Sequence, residues 1–103
     1  MKTRNDFHQE LVKALGTPYV YYQPPEGLQM HKGNRIVYSR EKIDFSQADN
    51  KKYIGHSKYS VTLVSKDPDW PLVEDILHMF QYCGHDRHYV TDNINHDVYI
   101  IYY

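Results

Sequence analysis

Apolar and polar positions along the chain fall into short periodic runs separated by turn residues. Phe7, Leu11, Ala14 and Leu15 recur at i, i+4, i+7 and i+8, which makes one apolar stripe on an amphipathic helix. Thr3 and Asp6 have the spacing of a capping box with the shorter acid. Gly16 suits the left-handed turn that ends a helix, and Pro18 blocks its continuation. Tyr19-Val20-Tyr21-Tyr22-Gln23 is β-prone and is stopped by Pro24-Pro25 and Glu26-Gly27, so it ends there or lies on a sheet edge. After a loop through Gly33-Asn34, Arg35-Ile36-Val37-Tyr38-Ser39 reads as a second strand, with alternation resuming at Ile43-Asp44-Phe45.

From Ser46 to Lys58 the chain is polar, with Asp49-Asn50-Lys51-Lys52 and a lone Gly55. A long connection between strands at about 46–58 is expected, at the upper end for an unstructured loop. Tyr59-Ser60-Val61-Thr62-Leu63-Val64 has the clearest alternation, with Tyr59, Val61 and Leu63 on one face. Val73, Ile76, Leu77 and Phe80 then make a second helical stripe. Asp69 is placed as its N-cap, Pro71 lies in its first turn and Gly84 follows its end. The last unit reads as a hairpin, with arms at Asp86–Thr91 and Asp97–Tyr103 around Asp92-Asn93-Ile94-Asn95. Both faces of its second arm are apolar, so it needs cover on both sides from the monomer or from a partner. The order α-β-β-β-α-β-β predicts one α+β domain over residues 1–103, a mostly antiparallel sheet flanked by two helices.

Composition narrows the functional classes. A net charge of -1 removes the electrostatic argument for a nucleic-acid binder or a polybasic membrane reader. No apolar run approaches the roughly 18 residues that cross a bilayer, and Met1–Asp6 lacks the apolar stretch of a signal peptide. The single cysteine, Cys83, cannot form an internal disulfide and suits a reducing compartment. What stands out is tyrosine, with 11 copies against 3 phenylalanines and 1 tryptophan, nearly all in expected strands. Tyrosine suits a half-buried pleated surface, and it equally suits a protein interface.

Seven histidines raise the question of chemistry. Cys83, His85 and His88 are zinc-ligand types at C-x-H-x-x-H spacing, the basis for an alternative reading as a small metal-dependent enzyme. The second close ligand pair of a zinc finger is missing, however, and a regular strand would send His85 and His88 to opposite faces. The neighbours His96-Asp97 and His85-Asp86 would also point apart, so neither makes a base and its orienter. No serine sits in a nucleophile-elbow context, and the acids Asp67, Asp69, Glu74 and Asp75 flank a helix start, where they offset its dipole. The residues therefore suggest no catalytic, cofactor or metal site.

Several strings taken together resemble a family. They are Tyr21-Tyr22-Gln23-Pro24-Pro25, Arg35-Ile36-Val37-Tyr38, Tyr59–Val64 with Lys66-Asp67-Pro68-Asp69, and above all the run from Asp86 to Tyr99, D-R-x-Y-x-x-D-N-x-N-H-D-V-Y. Over nearly its whole length the chain resembles the tail-completion or tail-terminator proteins found among the neck and tail genes of tailed bacteriophages. It departs from that pattern at Gly84-His85, where such proteins carry a hydrophobic residue before the Asp-Arg pair. The resemblance implies a tail-terminator-like fold and a structural virion protein of the neck or tail, made in the host cytoplasm. It implies a homohexameric ring on the head-proximal end of the tail tube, with the tail-tube protein and a neck or head-closure protein as partners. No cofactor, membrane or specific nucleic-acid sequence is implied. Lys51, Lys52 and Tyr53 in the long connection, and Tyr99, Ile101 and Tyr103 on the last strand, are the expected subunit or ring contacts. A head-closure adaptor ring, the metal-dependent enzyme and a host-directed binding module remain the alternatives.

Overall fold

The computed structural model describes residues 3–44 and 56–103. Its first element carries both predicted end signals. The Thr3 hydroxyl accepts the Asp6 N–H at 3.2 Å, and the Asp6 carboxylate accepts the Thr3 N–H at 3.0 Å. This capping box opens α1 (Arg4–Leu15), and Gly16, at φ +81°, closes it by donating to the Val12 carbonyl at 2.8 Å.

The strands are β1 (Val20–Tyr22), β2 (Arg35–Asp44), β3 (His56–Ser65), β4 (Tyr82–Thr91) and β5 (Ile94–Tyr102), with α2 (Leu72–Met79) between β3 and β4. They form one sheet in the order β1-β2-β3-β5-β4. The β1–β2 pair is parallel and the rest are antiparallel. The predicted α+β order is the observed one. β1 is shorter than expected because Gln23, ahead of the Pro24-Pro25 stop, turns to φ +42°. Its N–H still reaches the Tyr38 carbonyl at 2.9 Å.

Other boundaries differ from the sequence reading as well: both hairpin arms begin earlier than expected, at Tyr82 and not Asp86 and at Ile94 and not Asp97, so Gly84 lies inside β4. β2 continues to Asp44 past a bulge between Arg40 and Lys42, and β3 begins at His56, inside the segment expected to be a connection. Lys51, Lys52 and Tyr53 lie outside the described residues. α2 starts at Leu72, not after Asp69, and Pro71 stands at its N-cap without a side-chain cap. The cause is a competing turn. Asp67 accepts the Asp69 N–H at 2.9 Å and Ser65 Oγ accepts the Asp67 N–H at 3.0 Å, so the acids close their own Asx-type turn. The helix is entered instead through Pro71, whose φ of -59° is already helical.

Both helices lie on one face of the sheet. Phe7 and Leu11 from α1 and Leu72, Ile76 and Phe80 from the α2 region join Ile36, Tyr38, Tyr59, Val61, Leu63, Tyr99 and Ile101 in one buried cluster. Phe7 is at its centre, stacked on Tyr59 at 4.3 Å and in contact with Tyr38, Phe80 and Tyr103 at 5.0 to 5.4 Å. The Tyr38 hydroxyl is held at the edge of this cluster by Arg4 at 3.2 Å and His8 at 2.7 Å. On the opposite face Val64 and Val98 are buried outside that cluster. The register places Arg35, His96 and Arg87 beside them.

Candidate functional site

The chemistry-bearing residues meet on the β4–β5 hairpin. Its turn is only Asp92-Asn93, with φ of +52° and +61°. Two consecutive left-handed residues match a type I′ turn, whose twist suits antiparallel strands and which Asn and Asp tolerate best. A two-residue turn makes Thr91 pair with Ile94 and brings His88 opposite Asp97.

A second local feature places the other histidine. The ladder is interrupted between His85 and Arg87, so Asp86 is an extra residue without a partner on β5. His85 consequently pairs with Tyr99, two residues from Asp97 and on the same face. The expectation that His85 and His88 point to opposite faces is therefore corrected, because it assumed an unbroken strand. Asp97 Oδ1 lies 3.0 Å from His85 Nε2 and 2.9 Å from His88 Nδ1.

Asp97 is 6% exposed, on the helix-covered side of the sheet. An ionised carboxylate can only accept, so each imidazole presents a protonated nitrogen to it. The outer nitrogens, His85 Nδ1 and His88 Nε2, are left towards the edge, where the two side chains are 37% and 45% exposed. Next to them Tyr99 lies edge-on to the His85 ring at 5.1 Å and donates its hydroxyl to the Val73 carbonyl at 2.6 Å. Burial first, then the Asp97 charge and Cys83, push the Tyr99 hydroxyl pKa upward, so it remains a donor. Burial also pushes the Cys83 thiol up to about 11. A thiol that stays protonated at neutral pH is a poor nucleophile and a poor metal ligand.

The C-x-H-x-x-H spacing thus becomes a carboxylate shared by two imidazoles, with an inert thiol two residues away. Among the described residues no group of three or more His, Cys, Asp or Glu side chains could hold a metal ion. A carboxylate that orients an imidazole is half of a general-base arrangement. Here it joins β4 to β5 across the strands and fixes the hairpin face. The sequence reading missed this partnership because it paired His85 with Asp86 and Asp97 with His96, each with a chain neighbour.

The remaining expected contacts divide by burial. Tyr99 and Ile101 are fully buried in the monomer, under the helices. As core side chains they offer no surface to a second subunit, which corrects their assignment as interface residues. Tyr103 is half-buried against Phe7 and Phe80. The exposed candidates lie instead on β4, the outer strand of the sheet, where Tyr82 is 49% exposed, Tyr89 41% and Val90 55%. Gly84-His85, the departure from the phage pattern, lies inside this strand and not at a helix-to-strand turn. No helix among the described residues is long and apolar enough to cross a membrane. No protein-family model matches this chain, and no curated protein and no solved structure matches it.

Proposed function

We propose that this protein is a structural virion subunit that forms a homohexameric ring at the head-proximal end of a phage tail tube, ending the tube and joining tail to head. The observation that carries the reading is the free edge of β4. Ten residues long and, among the described residues, bonded to β5 on one side only, it holds three exposed large side chains, Tyr82, Tyr89 and Val90. The mutual bonding of Ser57 and Tyr103 fixes the alternation along β5. On that alternation the backbone groups of Cys83, His85, His88 and Val90 turn outward from the sheet. Such an edge pairs readily with another chain, and a contact between unlike surfaces of identical subunits closes into a ring when the rotation fits. The resemblance of the Asp86–Tyr99 run to tail-completion proteins supports the same strand as the functional one.

The test is an electron-microscopic reconstruction of the neck of intact particles, paired with the exposed-edge variant Val90→Lys. The protein is expected as a ring touching the last tube ring. The variant is expected to fold with unchanged circular dichroism while leaving heads and tails unjoined. A neck without the protein overturns the reading, and a ring nearer the portal would make it a head-closure adaptor. Normal joined particles from Val90→Lys would remove the β4 edge from the interface.

A further inference from the structure

A second site lies on the face of the sheet opposite the helices, near the hairpin turn, where β2 begins, β3 ends and β5 begins. Met30, His31, Lys32, Arg35, Lys66 and Ile94 line a concavity of about 360 Å³. No carboxylate is among them, although the chain as a whole carries a net charge of -1. Among the described residues none of Lys32, Arg35 and Lys66 forms an ion pair. The nearest acid in sequence, Asp67, is turned to its own backbone loop, with Oδ1 accepting the Asp69 N–H at 2.9 Å. Arg35 spends one donor on the Gly33 carbonyl at 3.3 Å, and its Nε is buried without a hydrogen-bond partner. Lys32 and Lys66 are exposed, so the concavity presents two hydrated ammonium groups and the remaining guanidinium donors of Arg35 with no acid among them, a setting that attracts an anion.

The walls are already held in place. The His31 N–H donates to the Tyr21 hydroxyl at 3.0 Å, and its ring stacks on Tyr19 at 3.8 Å. Ser65 donates to Asn34 at 2.7 Å, and Asn95 donates to the Ser65 carbonyl at 3.3 Å, so the start of β2, the end of β3 and the start of β5 are tied together. A Cβ at Gly33 would come within 2.7 Å of His31 Nε2, so a side chain there would displace the imidazole from its place on Tyr19.

We infer that this concavity is a binding site for a phosphate monoester carried on a flat, apolar body of nucleoside-monophosphate size. Three cations match a dianion better than a single carboxylate, and the guanidinium fork fits phosphate oxygens. Met30 and Ile94 supply apolar contact, with the thioether able to adapt to a ring. The volume is at the small end for ligand sites, in keeping with a ligand of that size. This site does not depend on the ring reading, and a failure of either leaves the other standing.

The experiment titrates the isotope-labelled full chain with adenosine 5′-monophosphate, inorganic phosphate, adenosine, a short acidic peptide and oligonucleotides of increasing length, observed by NMR. Adenosine monophosphate is expected to shift the Met30 and Ile94 methyl signals saturably, with inorganic phosphate competing and added salt weakening both. Arg35→Gln is expected to weaken binding by about tenfold or more, and the exposed Lys66→Ala by about threefold, in line with losing a charge-assisted bond and a screened charge. Unlabelled circular dichroism shows whether each variant is folded, and Lys66→Ala serves if Arg35→Gln is not. Absence of saturable shifts, equal binding of adenosine, tighter binding of the peptide, or unchanged affinity in Lys66→Ala overturns the proposal. Affinity that rises with oligonucleotide length would replace it with a nucleic-acid surface.

Discussion

Tyr99 shows how much one polar atom in this core carries. Its ring is fully buried between Val61 of β3 and His85 of β4, and its hydroxyl ends on the Val73 carbonyl in the first turn of α2. Tyr99→Phe keeps the ring and leaves that carbonyl with its helical N–H partner alone, so it should destabilise the fold by about 1 kcal/mol, as a lost buried hydrogen bond does. Urea unfolding monitored by circular dichroism measures this, and an unchanged midpoint would mean that water replaces the hydroxyl. His8 gives a prediction of a different sign. Burial, and then the Arg4 charge, hold its pKa below the ordinary histidine range. The neutral ring accepts the Tyr38 hydroxyl at 2.7 Å. On acidification the unfolded chain takes up this proton first, so the contribution of His8 is present above the unfolded pKa and is lost as pH falls through the folded one. Between about pH 7 and about pH 5 the melting temperature of His8→Gln should therefore fall less than that of the unmodified protein. Equal falls would remove His8 from the acid response.

At the scale of elements, helices and strands were legible where a single period governed them. The α1 caps, the Tyr59–Leu63 alternation and the stripe around Ile76 all follow from local rules, and each is observed. The histidine site was not legible, for two separable reasons. The Asp92-Asn93 pair does favour a two-residue turn, and taking it would have put His88 opposite Asp97 from sequence alone. The bulge at Asp86 has no such signal, since one unpaired residue reverses the facing of everything before it without altering composition. This makes Asp86 a site where a deletion should be tolerated. Removing it joins His85 directly to Arg87, whose partners on β5 are already the consecutive residues Tyr99 and Val98. Both imidazoles keep Asp97, and the free edge loses a kink and a charge that discourage pairing. The deletion variant is expected to fold with unchanged secondary structure and to self-associate more, read by multi-angle light scattering. A variant that unfolds would show that the bulge relieves a twist the hairpin needs.

For the whole molecule, the helices and four of the strands share one hydrophobic cluster, and Phe7 is its junction. A single ring touches Tyr38 on β2, Tyr59 on β3, Phe80 after α2 and Tyr103 after β5. Among the described residues the opposite face carries no helix and no second hydrophobic cluster, so they offer no other core on which a part of the molecule could remain folded. A domain of this size is stable by about 5–15 kcal/mol, while truncating a buried phenylalanine costs about 3–5 kcal/mol. Phe7→Ala should therefore remove a large share of the total stability at a residue that belongs to the N-terminal helix alone. The loss should also be global, because α1 cannot leave the sheet without exposing Tyr38, Tyr59 and Phe80 together. Far-ultraviolet circular dichroism and the fluorescence of Trp70, which packs against the same cluster beside α2, are expected to show coincident transitions in urea, in the parent and in Phe7→Ala. If Trp70 reported a later transition than the helix signal in Phe7→Ala, the hairpin and α2 would form a separate stable unit. The shared cluster would then be two cores in contact.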